Sequence, residues 1–251
     1  MRRARLGLHA LSQARTPRLF VDTALQSRAD VELPEAAAHH AVRVLRLRAG
    51  DHVVLFDGRG GEYEASLAMP GRDRVVAHTG EHRNLERESP LAVTLVQAVS
   101  SGEKMDFTVQ KAVELGVAAI DPVLGERSIV RLDGERGAKK LAHWRRIAIA
   151  ACEQCGRNRI PRIGEPVALE RYRPPAGSRI LLSPAGSARL ADLAKGPVIL
   201  AAGPEAGFSE EEEQALQRSG FAPVRLGPRV LRTETAALSA LAALNALAGD
   251  F

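Results

Sequence analysis

The sequence predicts an α/β domain on a parallel sheet, preceded by a small β-barrel. Three patterns point there. From residue 91 onward, apolar strand-like runs alternate with helix-period segments. Two of those runs pass directly into Gly-Pro-led loops. Before residue 80 the apolar runs are short, and two of them flank a glycine-rich hairpin signal.

The bulk composition sets limits. At 251 residues, with 45% hydrophobic and 26% charged residues, the chain can bury a substantial core and is ordinary for a soluble globular protein. Lys and Arg number 35 against 30 Asp and Glu, and most of the cations are Arg, whose planar fork suits phosphate. A net charge of +5 favours nucleic acid as a partner without establishing it. Two cysteines and no long apolar run suit a reducing, cytoplasmic setting and exclude a membrane span. Residues 1–17 read as a basic, disordered extension, with an Arg-rich transit peptide as the competing reading. The run Leu6–Leu11 is too short and too polar for a signal peptide.

In chain order, His39–Arg48 sets Arg43, Arg46 and Arg48 beside apolar residues, which suggests a basic face on the barrel. Val53–Phe56 and Glu62–Leu67 read as strands flanking the hairpin signal Asp57–Gly61, and Val75–Ala77 as a further strand. The charged segment 81–90, ending in Pro90, reads as a linker. Leu91–Val99 is then a strand, Met105–Leu115 a helix stopped by Gly116, and Val117–Leu124 a strand interrupted by Asp121-Pro122. The helix Ala138–Cys155 carries Cys152 and Cys155 on its apolar face. A lone Cys-x-x-Cys lacks two of the four ligands a zinc site needs, so these are core thiols and no metal is expected. The exit loop Gly156–Arg162 can hold phosphate or be a solvated helix end.

Ile180–Leu182, Val198–Ala202 and Phe221–Leu226 read as three more strands. The second runs into Gly203-Pro204-Glu205-Ala206-Gly207-Phe208, after which Ser209 and Glu212 make a capping box. The third runs into Leu226-Gly227-Pro228-Arg229-Val230-Leu231-Arg232-Thr233-Glu234. There Thr233 can cap a helix carrying Leu238, Leu241, Leu244 and Leu247 as an apolar stripe. Taken alone this is a capped helix with solvated charges. Beside the first loop it becomes one of two rigid loops converging at the carboxyl edge of a parallel sheet, the usual ligand position in such folds. No Gly-x-Gly-x-x-Gly, Gly-Lys-Ser/Thr or Gly-x-Ser-x-Gly motif is present, which argues against dinucleotide, P-loop and serine-hydrolase chemistry. Loops that offer backbone groups more than charge suit a nucleoside with little phosphate, such as S-adenosylmethionine.

Residues 102–116 (GEKMDFTVQKAVELG), 151–159 (ACEQCGRNR), 203–209 (GPEAGFS) and 226–236 (LGPRVLRTETA) together resemble the bacterial 16S ribosomal RNA uridine-N3 methyltransferases of the SPOUT class. Val44-Leu45-Arg46, Gly50-Asp51 and Phe56-Asp57-Gly58 match that family's N-terminal part. The resemblance implies a PUA-like RNA-binding barrel at 18–80, the linker at 81–90, and a SPOUT domain at 91–251 with a C-terminal trefoil knot. It also implies a homodimer and methyl transfer from S-adenosylmethionine to N3 of one uridine near the decoding site of 16S RNA, on assembled small subunits. Carried over, the cofactor positions are Leu200, Gly203, Pro204, Glu205, Gly207, Leu226, Gly227, Val230, Leu231 and Arg232. The catalytic candidates are Arg232, Glu234 and Glu205. The RNA-binding candidates are Arg18, Arg43, Arg46, Lys104, Arg157, Asn158, Arg159 and Arg229. One position departs from the family's Gly-Pro-Glu-Gly-Gly: Ala206 stands where a glycine is usual. Two other functions fit the same residues, a SPOUT-class ribose 2′-O-methyltransferase of ribosomal or transfer RNA and a non-catalytic RNA-binding assembly factor.

Overall fold

The computed structural model describes residues 16–70, 74–128, 132 and 134–251. The predicted extension at 1–17 lies outside them up to Arg15. The chain divides into two compact units after Glu86.

In the first unit, β1 (Arg18–Phe20), β2 (Asp30–Glu32), β3 (His52–Phe56), β4 (Glu62–Ala68) and β5 (Val76–Arg83) form one sheet in the order β1-β3-β4-β5-β2. The hairpin β3–β4 is antiparallel, as predicted, whereas β1 adds to β3 in parallel. Leu19, Val53, Leu55, Ala65, Leu67 and Ala77 alternate inward and make the core. Residues 35–44 are helical. They form α1 (Glu35–His39), which runs on as a π-helical turn over His40–Val44, and its Ala37 and Ala41 pack into that core.

The second unit begins inside the predicted linker. Residues 81–83 extend β5, where Arg83 pairs in register with Glu62. Glu88 and Ser89 are committed to the second unit by ion pairing to Arg157 and a 2.8 Å hydrogen bond to the amide oxygen of Asn245. Seven strands follow: β6 (Val93–Ala98), β7 (Ala119–Leu124), β8 (Arg162–Ile163), β9 (Val167–Ala168), β10 (Ser178–Leu182), β11 (Val198–Ala202) and β12 (Ala222–Val224). They form a sheet of order β12-β10-β11-β6-β7-β8, with β9 also on β7, and every pairing is parallel. Strand β11, Val-Ile-Leu-Ala-Ala, is buried along its whole length, as a strand covered on both faces must be. Pro122 does not interrupt β7, because it falls between the residues that pair with β8 and those that pair with β9.

The helices of this unit are α2 (Gly102–Glu114), α3 (Gly134–Cys155), the single turn α4 (Leu190–Leu193), α5 (Glu210–Arg218) and α6 (Thr233–Ala248). Helix α6 corrects the predicted leucine stripe. Its buried residues are Thr233, Ala237, Ala240, Leu241, Leu244 and Asn245, while Leu247 is half exposed. Residues three apart advance by 300° rather than a full turn, so a period-three series winds off the face that a mixed three-and-four spacing keeps. Asn245, buried at the far end, donates to the Leu115 carbonyl at 2.6 Å and so fixes α6 to the end of α2.

Candidate cofactor site

Strands β11 and β12 end at the same edge of the sheet, and their exit loops, 203–209 and 225–232, face each other across a cavity of about 230 Å³. The loop after β10, Leu182-Ser183-Pro184, supplies a third wall. Of the predicted cofactor residues, Gly203, Pro204, Glu205, Gly207, Leu226, Val230 and Leu231 line this cavity, and so does Arg229. Leu200, Gly227 and Arg232 do not. Leu200 is wholly buried in the middle of β11, two residues short of its carboxyl end. Arg232 is exposed, flanked by lining residues, with its side chain outside the cavity.

The first loop has its shape from a turn in which the Gly207 amide donates to the Pro204 carbonyl at 2.9 Å. Gly207 sits at φ +73°, where glycine is needed, but Ala206 does not have a positive φ. Both central residues of the turn are therefore of the type I pattern, which accepts alanine. The departure at Ala206 is thus compatible with the loop, and Ala206→Gly should change cofactor affinity, read by calorimetric titration, by no more than about two-fold. Gly203 is intolerant as well, since a Cβ there would lie 2.9 Å from the Phe208 backbone nitrogen.

The two loops are joined through a buried polar chain. Thr233 is not the helix cap predicted for it. Arg232 occupies that position, with no side-chain cap, and Thr233 is the first residue of α6. Its hydroxyl instead donates to the Gly203 carbonyl at 2.5 Å and accepts from the Gln97 amide at 3.0 Å. Gln97 is fully buried near the carboxyl end of β6, in register with Ala202 of β11. The sequence signals Gln97 only as the one amide in the run Leu91–Val99, which is apolar but for it and Thr94.

Glu205 is held from the opposite side. Its carboxylate accepts from the Ser101 backbone amide at 3.0 Å, from the Ser101 hydroxyl at 2.9 Å and from Lys104 at 3.2 Å, all at the N-terminus of α2. Partial burial pushes its pKa up, but these hydrogen bonds outweigh it and hold the group at about 2. A carboxylate so placed complements the helix dipole and is a poor proton acceptor near neutral pH. Because its pKa is depressed from 4.5, the anchoring is complete above that value and is lost as pH falls toward 2. The denaturant-midpoint difference between wild type and Glu205→Gln should therefore be constant from pH 7 to about 5 and shrink below that. A difference that does not depend on pH would contradict the anchor.

Two further side chains brace this loop. Arg127 donates to the carbonyls of Ala206 and Phe208 at 3.3 and 3.4 Å. Glu212 completes the predicted capping box with Ser209 and also accepts from the Glu126 amide at 2.7 Å. Glu234, in the first turn of α6, keeps one carboxylate oxygen buried with no hydrogen-bond partner among the described residues.

The predicted RNA-binding residues separate by exposure. Arg43, Arg46, Arg159 and Arg229 are exposed, and Lys104 is partly exposed but engaged with Glu205. Arg18, Arg157 and Asn158 are buried, which corrects their placement on a contact surface. Arg18 pairs with Glu62 at 2.6 Å and stacks on Phe56, and Arg157 pairs with Glu88 while donating to the carbonyls of Val113 and Val117. Both guanidiniums are spent internally. The Cys152 thiol is likewise buried, facing the Arg159 carbonyl at 3.6 Å.

Comparison with known proteins agrees with this architecture. A family model described as an RNA methyltransferase domain matches residues 87–245, and one described as an RNA methyltransferase PUA domain matches 33–79. The chain is 32% identical over 248 residues to the ribosomal RNA small subunit methyltransferase E of Buchnera aphidicola, covering 96% of this chain and 98% of that one. It is 33% identical to the protein of the same name in Bacillus subtilis, covering 82% and 86%. Among solved structures, the ribosomal RNA small subunit methyltransferase E of Neisseria gonorrhoeae bound to S-adenosyl methionine superimposes with a TM-score of 0.87 at 41% identity, covering 94% of this chain and 99% of that one. A methyltransferase of Legionella pneumophila in complex with the same cofactor gives 0.91 at 42%, covering 94% and 100%. With the parallel sheet, the two edge loops and a family match over most of its length, the chain belongs to the RNA methyltransferase family, its catalytic domain preceded by a PUA domain.

Proposed function

We propose that this protein transfers a methyl group from S-adenosylmethionine to N3 of one uridine in the 16S RNA of the small ribosomal subunit. The observation that carries the reading is the cavity between the loops after β11 and β12, with the exposed Arg232 at its rim. The residues fit the cofactor. Leu226, Leu231, Phe208 and Ala202 give an apolar lining, Gly203 permits close backbone approach, and the Glu205 carboxylate, ionised at neutral pH, can compensate a sulfonium.

When bound, the cofactor supplies an electrophilic methyl. The chain must position it against N3, withdraw water and manage one proton. Positioning alone can supply roughly 7–11 kcal/mol. In this reading the guanidinium of Arg232 stabilises negative charge spreading onto the uracil carbonyls. With Glu205 committed to α2, we assign the proton to Glu234, which stands in the first turn of α6 beside the cavity-lining Thr233 and keeps one carboxylate oxygen unpartnered among the described residues. A kcat profile of Glu234→Gln that keeps the wild-type acidic limb would remove it from that role. Arg43 and Arg46, exposed on the PUA domain, suit contact with the RNA backbone. We also place the C-terminal chain in a trefoil knot and the protein in the cytoplasm as a homodimer; the exposed apolar side chains of Phe107 on α2 and Leu247 on α6 support the dimer. Light scattering tests the dimer.

The decisive experiment is methylation of small subunits lacking the mark, followed by nuclease digestion and mass mapping. N3-methyluridine at one position is the expected product. Methyl on a ribose would assign the related 2′-O chemistry instead, and no transfer together with no cofactor binding would indicate an assembly factor.

A further inference from the structure

The cations of this chain do not all have the same surroundings. Arg18 and Arg157 are buried in ion pairs, and Arg74, Arg83 and Arg162 meet carboxylates nearer the surface. Helix α3 is different. Between Gly134 and Cys152 it carries Arg136, Lys139, Lys140, Arg145 and Arg146 against the single acidic residue Glu135. At 100° per residue, Arg136, Lys139, Lys140 and Arg146 fall within an arc of about 120°. Arg136, Lys139 and Arg146 lie on the side away from the buried Leu141, Trp144, Ala148 and Cys152, and Lys140 lies at the border beside Trp144. Arg136, Lys139 and Arg146 are exposed and Lys140 is partly so.

Among the described residues, Arg136, Lys140 and Arg146 have no ion-pair partner. Lys139 pairs with Glu135 at 2.7 Å, but with side chains 75% and 80% exposed that contact neutralises little. Arg136 and Lys140 are four apart, a like-charge spacing that slightly disfavours the helix. The helix is nonetheless firmly held. Trp144 is 1% exposed, and His143 bonds Asp106 of α2 at 2.8 Å. A well-seated helix thus presents a row of four cations about 15 Å long, from Arg136 to Arg146, with the His143–Asp106 pair at its middle bringing one carboxylate of α2 to that face. No exposed aromatic side chain lies in the row to stack on a base, since Trp144 points inward. Such a surface suits phosphates rather than base edges.

We propose that the outward face of α3 docks the phosphate backbone of the RNA substrate, a contact additional to any made by the PUA domain. The proposal rests on the reading that this methyltransferase acts on ribosomal RNA. Its test is the binding of isolated small subunits to the full-length protein over a range of salt concentrations. The variants are Arg136→Glu/Lys140→Glu/Arg146→Glu, the neutralising Arg136→Gln/Arg146→Gln, and a control, Lys195→Glu/Arg218→Glu, that reverses exposed cations elsewhere. The triple variant should weaken binding about ten-fold or more near 0.1 M salt and reduce the slope of log K against log salt by about two to three. The double variant should lose between one and two in slope, roughly one per contact, with cofactor affinity and Tm unchanged. The control should bind as wild type. Wild-type affinity and slope in the double variant, or a loss as large in the control, would overturn the proposal. Because the readout is binding, a product other than N3-methyluridine would revise the proposed function and leave this result standing.

Discussion

Arg232→Ala is expected to lower the turnover of methyl transfer by about 10²- to 10³-fold, the usual cost of removing a fixed donor from developing negative charge. Cofactor affinity should stay within about three-fold and Tm within about 2 °C of wild type, as for surface substitutions generally. The separation follows from placement. Arg232 precedes α6, makes no side-chain cap and is exposed, while its neighbours Leu231 and Thr233 line the cavity. Its removal therefore costs the fold little and withdraws a cation from the substrate side. Arg232→Lys should recover only part of the rate, because an ammonium cannot reproduce a two-pronged donor. Steady-state kinetics with calorimetry and thermal melts would check this, and wild-type turnover in Arg232→Ala would end the assignment.

Thr233→Val should behave in the opposite way. Valine matches threonine in shape but lacks the hydroxyl, so the Gly203 carbonyl loses its donor and the Gln97 amide one of its two acceptors in a dry interior. A buried polar group left unmatched costs about 1–3 kcal/mol, so a loss of roughly 2–3 kcal/mol is expected. For a unit of this size that lowers Tm by roughly 5–10 °C. The Gly203 carbonyl would also be released from α6, and cofactor affinity should fall about ten-fold, since pre-organisation is what such a tie provides. Thr233→Ser keeps the hydroxyl and should restore most of both quantities. A Thr233→Val protein with wild-type Tm and cofactor affinity would show that the chain does not set the loop.

The two substitutions lie side by side in sequence, yet one is predicted to affect rate and the other stability and binding. Sequence alone marked both as polar residues at a helix start. It also specified much of the fold. The apolar run Val198–Ala202 was long enough for a fully buried strand, and Ser209-x-x-Glu212 set the start of α5 through hydrogen bonds local to four residues. The Gly-Pro loops were recognisable because their conformations are fixed by glycine and proline themselves. What depended on partners far along the chain was out of reach. Nothing near residue 205 in sequence indicates that Glu205 is held by Ser101 and Lys104, which removes it as a base. Nothing near Arg18 or Arg157 indicates that each meets a carboxylate at least 44 residues away and is buried there rather than offered to RNA. Local hydrogen-bond and dihedral rules thus sufficed for the elements and the two loops, whereas the protonation state, exposure and partners of each charged side chain were decided by tertiary contacts, because burial and pairing depend on what the fold brings alongside.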